Sequence, residues 1–379
     1  MKKKLTRGVL IAVLIIGGVL LLSPEYFRRA LIYTTADITD YKLFDNRVVK
    51  TGKPEPWAKD AAYNSFKISE EHRKAIEKLD PVAFFVLQNQ KVRYEEYWDG
   101  YGPESLSNSF SMAKSIVSLL VGIAVDEGKI KSLDQAVGDF VPAFAEGENA
   151  KLKIRDVLTM SSGLNWDESY GNPFSVTTKA YYGTNLRALI DGLKVVEKPG
   201  VEFKYLSGNT QLLAMVLESA TGKDLADYAG DKLWSKIGAL HPALWSVDRK
   251  KDGIEKAYCC FNSNAPDFAR IGQLVLNGGE WDGQQVVSGN YVKEATKPAS
   301  YLVDKSGKPV DFYGFQWWVV NYKGVNVPYC RGILGQYIFV IPNKNAVVVR
   351  LGNKRAKKKI GPHPEDVYLY LDTAMKMLD

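Results

Sequence analysis

Runs rich in β-branched and aromatic residues lie towards both ends of this 379-residue chain and enclose a long helical stretch. The first is Pro81-Val82-Ala83-Phe84-Phe85-Val86-Leu87, followed by a turn at Gln88-Asn89-Gln90 and by Val92-Arg93-Tyr94-Glu95-Glu96-Tyr97-Trp98, which together read as a hairpin. The last are 313–320, 336–342 and 346–351, separated by Gly, Asn and Lys turns. Between them the apolar spacing is helical: 111–127 ended by Gly128, 154–160, and 210–220 stopped by Gly222. Strands at both ends around a helical middle predict one antiparallel sheet built from the two ends, with the helices as an inserted lobe. Helices over 68–79 and 365–378 complete an α+β fold over 61–379. The 46% hydrophobic and 25% charged content suits such a buried core and argues against disorder.

The N-terminus reads differently. Lys2, Lys3, Lys4 and Arg7 precede an uncharged apolar run over 8–22, and no Ala-x-Ala pattern follows it. This predicts a membrane-anchor helix, an uncleaved signal anchor over 1–23 with its lysines inside, a cleaved signal peptide being the alternative. Either places the body outside the cytoplasm, and the anchor places it at the inner membrane facing the periplasm or extracellular side. Residues 24–60 are polar and irregular and read as a linker. The formal charge of +7 sits partly in the run 354–359. That run reads as a solvated face or a contact for anionic lipid, and no nucleic-acid motif accompanies it. Cys259, Cys260 and Cys330 are too few for a disulfide framework. One of the adjacent pair could bridge to Cys330, or all three could be buried thiols. No metal-ligand spacing or cofactor motif is present, so neither is expected.

Three stretches carry chemistry. In Ser109-Phe110-Ser111-Met112-Ala113-Lys114-Ser115, positions 111 and 114 share a helix face, so the Lys114 amine can reach the Ser111 hydroxyl. A serine hydroxyl needs a base, and a desolvated lysine has its pKa lowered towards that role. A helix start adds free N–H groups where an oxyanion would form. A capping serine and an exposed lysine would be the plainer reading. However, the helix that follows is apolar nearly all round, and a lysine at its head needs a reason. The second stretch is Phe203-Lys204-Tyr205-Leu206-Ser207-Gly208-Asn209-Thr210, directly before a helix. The third is Arg331-Gly332-Ile333-Leu334-Gly335-Gln336, where glycines let backbone N–H groups approach a ligand. His72, His241 and His363 stand in contexts that suit no catalytic base, and no G-x-S-x-G elbow occurs, which excludes a Ser-His-Asp reading.

In this order the three stretches resemble the serine β-lactamase/penicillin-binding-protein superfamily, and more closely its class C-like branch with the 6-aminohexanoate-dimer hydrolases and related esterases. The resemblance extends through Leu158-Thr159-Met160-Ser161-Ser162-Gly163, Asp267-Phe268-Ala269-Arg270-Ile271-Gly272 and Tyr313-Gly314-Phe315-Gln316-Trp317-Trp318. It implies a β-lactamase-like fold and a serine hydrolase that acts through an acyl-enzyme on a carboxylic ester or a linear amide. The alternatives are a D-Ala peptidase or β-lactamase, and a sensor that acylates without turnover. It also implies Ser111 as nucleophile, Lys114 and Tyr205 in acid–base roles, and the backbone N–H groups of Ser111 and Ile333 as the oxyanion hole. Tyr170, Ser207, Arg331 and Gln336 are the substrate-binding candidates. Ser207 stands where many β-lactamases have asparagine, which fits the amide and ester branch. No Lys-Thr-Gly accompanies the third stretch, so Arg331 is the candidate for a substrate carboxylate.

Overall fold

The computed structural model describes residues 18, 20 and 22–378. The anchor or signal segment expected over 1–23 falls outside the described residues, save its last few positions. Among the described residues, no helix is long and apolar enough to cross a membrane.

The core is a seven-stranded sheet in the order Trp318–Tyr322, Val325–Gly332, Gln336–Ile341, Ala346–Gly352, Pro81–Gln88, Lys91–Tyr97, Ala58–Lys59. All pairings are antiparallel except that of Ala58–Lys59 with Lys91–Tyr97. The two ends of the chain therefore meet in mid-sheet, where Ala346–Gly352 lies beside Pro81–Gln88. Side-chain alternation sorts the strands onto two faces. Phe85, Leu87, Ile338, Val340, Val347 and Val349 face the larger core, while Phe84, Val86, Phe339 and Val348 face a second one with Val367, Tyr370 and Leu371. Helices cover both faces, Ala265–Leu276 on one and Asp366–Met375 with Glu70–Glu77 on the other.

Helix Ala265–Leu276 lies close to the sheet because Gly272 has no side chain. A Cβ there would come within 2.5 Å of Val347 Cγ1 and 2.9 Å of Ile338 Cγ2. Gly272→Ala is therefore expected to destabilise the fold by about 1–3 kcal/mol through overpacking, read as a lowered midpoint in urea unfolding. Asp267 and Arg270 on the same helix are fully buried and joined by a 3.0 Å ion pair. Their remaining polar atoms bind backbone, with Asp267 accepting from the N–H groups of Leu240 and His241 and Arg270 donating to the carbonyls of Ile237 and Glu55. Such a pair is tolerable in the interior only with its other hydrogen bonds satisfied.

The inserted lobe is built round Ala113–Asp126, Ile154–Leu158 and Ser207–Thr221, the last ended by Gly222 in the left-handed region at φ 67°. Three sequence expectations need correction. Residues 24–60, read as an irregular linker draped over the domain, lie against it but contain regular elements: Glu25–Tyr33 is a helix packed on Val176–Tyr182, and Asn46–Val49 joins a small four-stranded sheet beside Ala243–Ser246. The run 313–320 becomes a strand only at Trp318, because Tyr313 to Trp317 fold back against Ala295 and Leu158. Cys259 and Cys260 are bonded to each other, and Cys330 is a free thiol packed in the core from strand Val325–Gly332.

Candidate active site

Ser111 stands in the single turn Phe110–Met112 that leads into the buried helix Ala113–Asp126. The residue before it, Phe110, has a φ of 43°, a costly conformation for a bulky side chain. Asn108 Oδ1 holds it there by accepting the Phe110 N–H at 2.9 Å. The turn presents the hydroxyl to the cleft while the helix runs straight into the core.

Lys114, one turn on, is 1% exposed. Its Nζ lies 3.0 Å from Ser111 Oγ, 3.2 Å from Ser207 Oγ and 2.7 Å from the Tyr258 carbonyl oxygen, three acceptors for the three protons of an ammonium. Burial pulls its pKa down to about 7, with Glu168 opposing. At neutral pH a large share of the amine is therefore unprotonated and able to take the proton of Ser111. Tyr205 completes the group: it lines the same cleft as Ser111, and its ring centroid is 5.2 Å from Lys114 Nζ. Burial, reinforced by Glu168, pushes the Tyr205 pKa well up, so it stays a phenol with a proton to give.

Glu168 organises the opposite wall and was invisible in the sequence. One carboxylate oxygen accepts from the Trp166 indole at 2.8 Å and the Ser207 N–H at 2.7 Å, and the other accepts from the Ser207 hydroxyl at 2.6 Å and from the Tyr170 hydroxyl. Ser207 thus links Lys114 to Glu168. Tyr170 is an exposed ring on the cleft rim tied to the same carboxylate. The Tyr258 carbonyl was missed as well, since a backbone acceptor leaves no mark in a sequence.

The third stretch forms the facing edge. Gly332 ends strand Val325–Gly332, and Ile333 to Gly335 make a tight turn in which Leu334 has φ 61° and Gly335 φ 87°. Buried Arg350 fixes that turn by donating to the carbonyls of Leu334 at 2.8 Å and Gly335 at 2.7 Å. Ile333 lines the cleft with Ser111. Arg331 reaches the same cleft, its guanidinium 3.1 Å from the Trp318 ring centroid and donating to the Pro362 carbonyl at 3.0 Å. Gln336 does not belong with them. Its side chain is fully buried and spends its amide on the carbonyls of Ile333 and Gly352 and the N–H of Gly352, so it braces the turn and meets no substrate.

Two cavities open from Ser111. One, of about 740 Å³, is lined by Tyr205, Trp318, Arg331, Arg355 and Lys359 among others. The other, of about 380 Å³, is lined by Phe110, Tyr181, Tyr182, Tyr258 and Leu334 and by residues 34–36 behind the N-terminal helix, with no charged side chain. Among the described residues no cluster of His, Cys, Asp and Glu could hold a metal.

Comparison with known proteins accords with this geometry. The family model for Beta-lactamase matches residues 70–370. The chain is 30% identical over 286 residues to the 6-aminohexanoate-dimer hydrolase of Paenarthrobacter ureafaciens, covering 72% of each. Its fold superposes with a TM-score of 0.78 on a Bacillus anthracis protein provisionally named a 6-aminohexanoate-dimer hydrolase, at 20% identity and 94% coverage of both chains. It also superposes, at 0.62 and 16% identity, on EstCE1, a hydrolase with promiscuous acyltransferase activity, covering 80% of this chain and 96% of that one. On the family match and the curated relative together, this chain belongs to the Beta-lactamase family.

Proposed function

We propose that the protein hydrolyses a carboxylic ester or a linear amide through an acyl-enzyme on Ser111. The observation that carries this reading is the buried Lys114 amine 3.0 Å from Ser111 Oγ with its pKa near 7. Neutral Lys114 takes the hydroxyl proton as Ser111 Oγ attacks the carbonyl carbon, and the backbone N–H groups of Ser111 and Ile333 receive the oxyanion. The C–O or C–N bond then breaks, Tyr205 protonates the leaving alcohol or amine, and Lys114 returns a proton to Tyr205. Water hydrolyses the ester of Ser111 with Lys114 and Tyr205 again moving the protons. The likeness to the Paenarthrobacter enzyme supports a linear amide among the substrates. The Cys259–Cys260 disulfide and the basic-flanked apolar run over 8–22 support a location outside the cytoplasm.

The direct test is the intact mass of the protein after exposure to a fluorophosphonate. One adduct on the wild type that is absent from Ser111→Ala is expected, and a folded wild type that gains no mass sinks the reading. A second expectation follows from Lys114. Because its neutral form is the base, kcat/KM should rise with pH through about 7 and level off above. A profile flat across that range would show that another group takes the proton.

A further inference from the structure

The segment 258–261 meets the surroundings of the nucleophile at three points. The Tyr258 carbonyl accepts from Lys114 Nζ at 2.7 Å. The Cys260 N–H donates at 3.1 Å to Asn108 Oδ1, the same oxygen that takes the Phe110 N–H and holds Phe110 at positive φ. The Phe261 carbonyl accepts from the Ser109 N–H at 2.9 Å. On its other side the segment is fastened to strand Ala243–Ser246. The Trp245 indole donates to the Cys259 carbonyl at 3.2 Å, and the Ser246 N–H donates to the Cys260 carbonyl at 2.9 Å. The placement of Lys114 and of the turn that carries Ser111 therefore depends on the backbone of 258–261.

The middle of that backbone is closed by the bond between Cys259 and Cys260. A disulfide between chain neighbours makes a small ring that contains their own peptide unit, so it restricts ψ of Cys259 and φ of Cys260 directly. Cys260 has φ 68°, in the left-handed region that a residue with a side chain enters only at a cost. Once the ring opens, Cys260 can leave that region, and the Tyr258 carbonyl and the Cys260 N–H lose their fixed relation. We propose that the Cys259–Cys260 disulfide is a positioning element for catalysis, holding the Tyr258 carbonyl on Lys114 and Asn108 under Phe110, so that Ser111 reaches full reactivity only in the oxidised chain. The inference rests on the acyl-enzyme reading above and adds a redox dependence to it. Cys259 lines the uncharged cavity beside Ser111, which gives a small dithiol a way in. A thiolate of that dithiol attacks the Cys259 sulfur, Cys260 departs as a thiolate and takes a proton, and the second thiol resolves the mixed disulfide. Two electrons and two protons pass to the protein, leaving two cysteine thiols and a disulfide in the reagent.

The test uses the full-length chain, oxidised or treated with dithiothreitol, with the reagent removed under nitrogen before assay on 4-nitrophenyl butyrate. Iodoacetamide under denaturing conditions confirms each state, one label marking Cys330 in the oxidised chain and three marking the reduced one. Reduction should lower kcat/KM roughly tenfold or more, mostly through kcat, and slow fluorophosphonate labelling in step. Reoxidation should restore both. The pH midpoint of kcat/KM, set near 7 by Lys114, should move down on reduction, because a carbonyl acceptor favours the ammonium form. The double variant C259S/C260S should match the reduced enzyme whatever the redox state. In C259S/C260G the glycine adopts the same φ without a ring, and kcat/KM should return to within roughly threefold of the oxidised wild type. Oxidised and reduced chains with equal kcat/KM, or a serine variant as active as the oxidised wild type, overturn the positioning role. So do a pH midpoint that stays put and a glycine variant as slow as the serine one, since either leaves the disulfide a stabilising link alone. No fluorophosphonate adduct on the folded, oxidised wild type overturns the hydrolase reading itself.

Discussion

Lys114→Met is expected to lower kcat/KM by roughly 1,000-fold or more, while the melting temperature at pH 6 stays at or above that of the wild type. Methionine keeps the length and apolar stem of lysine and removes the amine that Ser111, Ser207 and the Tyr258 carbonyl surround. The stability sign follows from linkage. The folded-state pKa of about 7 lies below the ordinary lysine value of 10.5, so between those values the unfolded chain holds more protons and stability rises with pH. The cost of burying this lysine is therefore fully present below pH 7, and methionine removes it. Loss of a donor to Ser207 and Tyr258 offsets part of the gain. The advantage of the variant should shrink as pH rises towards 10. Lys256, buried with a pKa also pulled down to about 7 and donating to the Tyr181 carbonyl at 2.6 Å, is common to both proteins and cancels in the comparison. Steady-state kinetics and thermal melts across pH read both effects. A variant within tenfold of wild-type kcat/KM would remove Lys114 from the proposed mechanism.

Gly332→Ala should cost roughly 100-fold in kcat, with a smaller change in KM. Gly332 is needed here for close approach: a Cβ would stand 2.3 Å from the Ser109 carbonyl oxygen and 3.0 Å from Gln336 Cβ. The first of these is backbone two residues before the nucleophile, in a segment already held at positive φ by Phe110, so it has little freedom to yield. The strand must then move outwards and carry the Ile333 N–H away from Ser111. An oxyanion forms only as the reaction proceeds, so misplacing its donor acts on kcat more than on substrate binding. The fluorophosphonate adduct should still form, but more slowly. Unchanged kcat in a folded Gly332→Ala protein would place the oxyanion site elsewhere.

The elements that could be read from sequence were those whose signal is local. The hairpin Pro81–Gln88 and Lys91–Tyr97 follows from β-rich runs and a polar turn, and helix Ala113–Asp126 from a long apolar run that ends at Gly128. Strand Val325–Gly332 escaped because Pro328 reads as a breaker, yet it sits opposite Val319 in the ladder. Asn46–Val49 and Ala58–Lys59 are too short and too polar to show a period. In the site, Ser111 and Lys114 are one helical turn apart, a spacing that a sequence displays. Glu168 gains its role only when Trp166, Tyr170 and Ser207 converge on it, and Ser207 comes from another part of the chain. Gln336 shows the converse, since a polar side chain beside the turn was needed to hold the turn and faces away from the cleft.

The mid-sheet pairing of Ala346–Gly352 with Pro81–Gln88 also sets when in the life of a molecule this site can exist. A ribosome delivers Ser111, Lys114, Glu168 and Tyr205 long before it delivers Ile333 and the Arg350 that fixes the Ile333 turn. The hairpin must wait, one long edge unpaired, for a partner made more than 250 residues later. Contacts so distant in sequence close slowly, and exposed strand edges invite association with other chains during the delay. The helical lobe can gather around Ala113–Asp126 early, but the Ile333 turn that faces Ser111 across the cleft arrives with the last strands. On the proposed mechanism, a chain that has paired its two ends is thus the first form able to attack a carbonyl, and unfinished or clipped chains carry Ser111 without the Ile333 turn beside it.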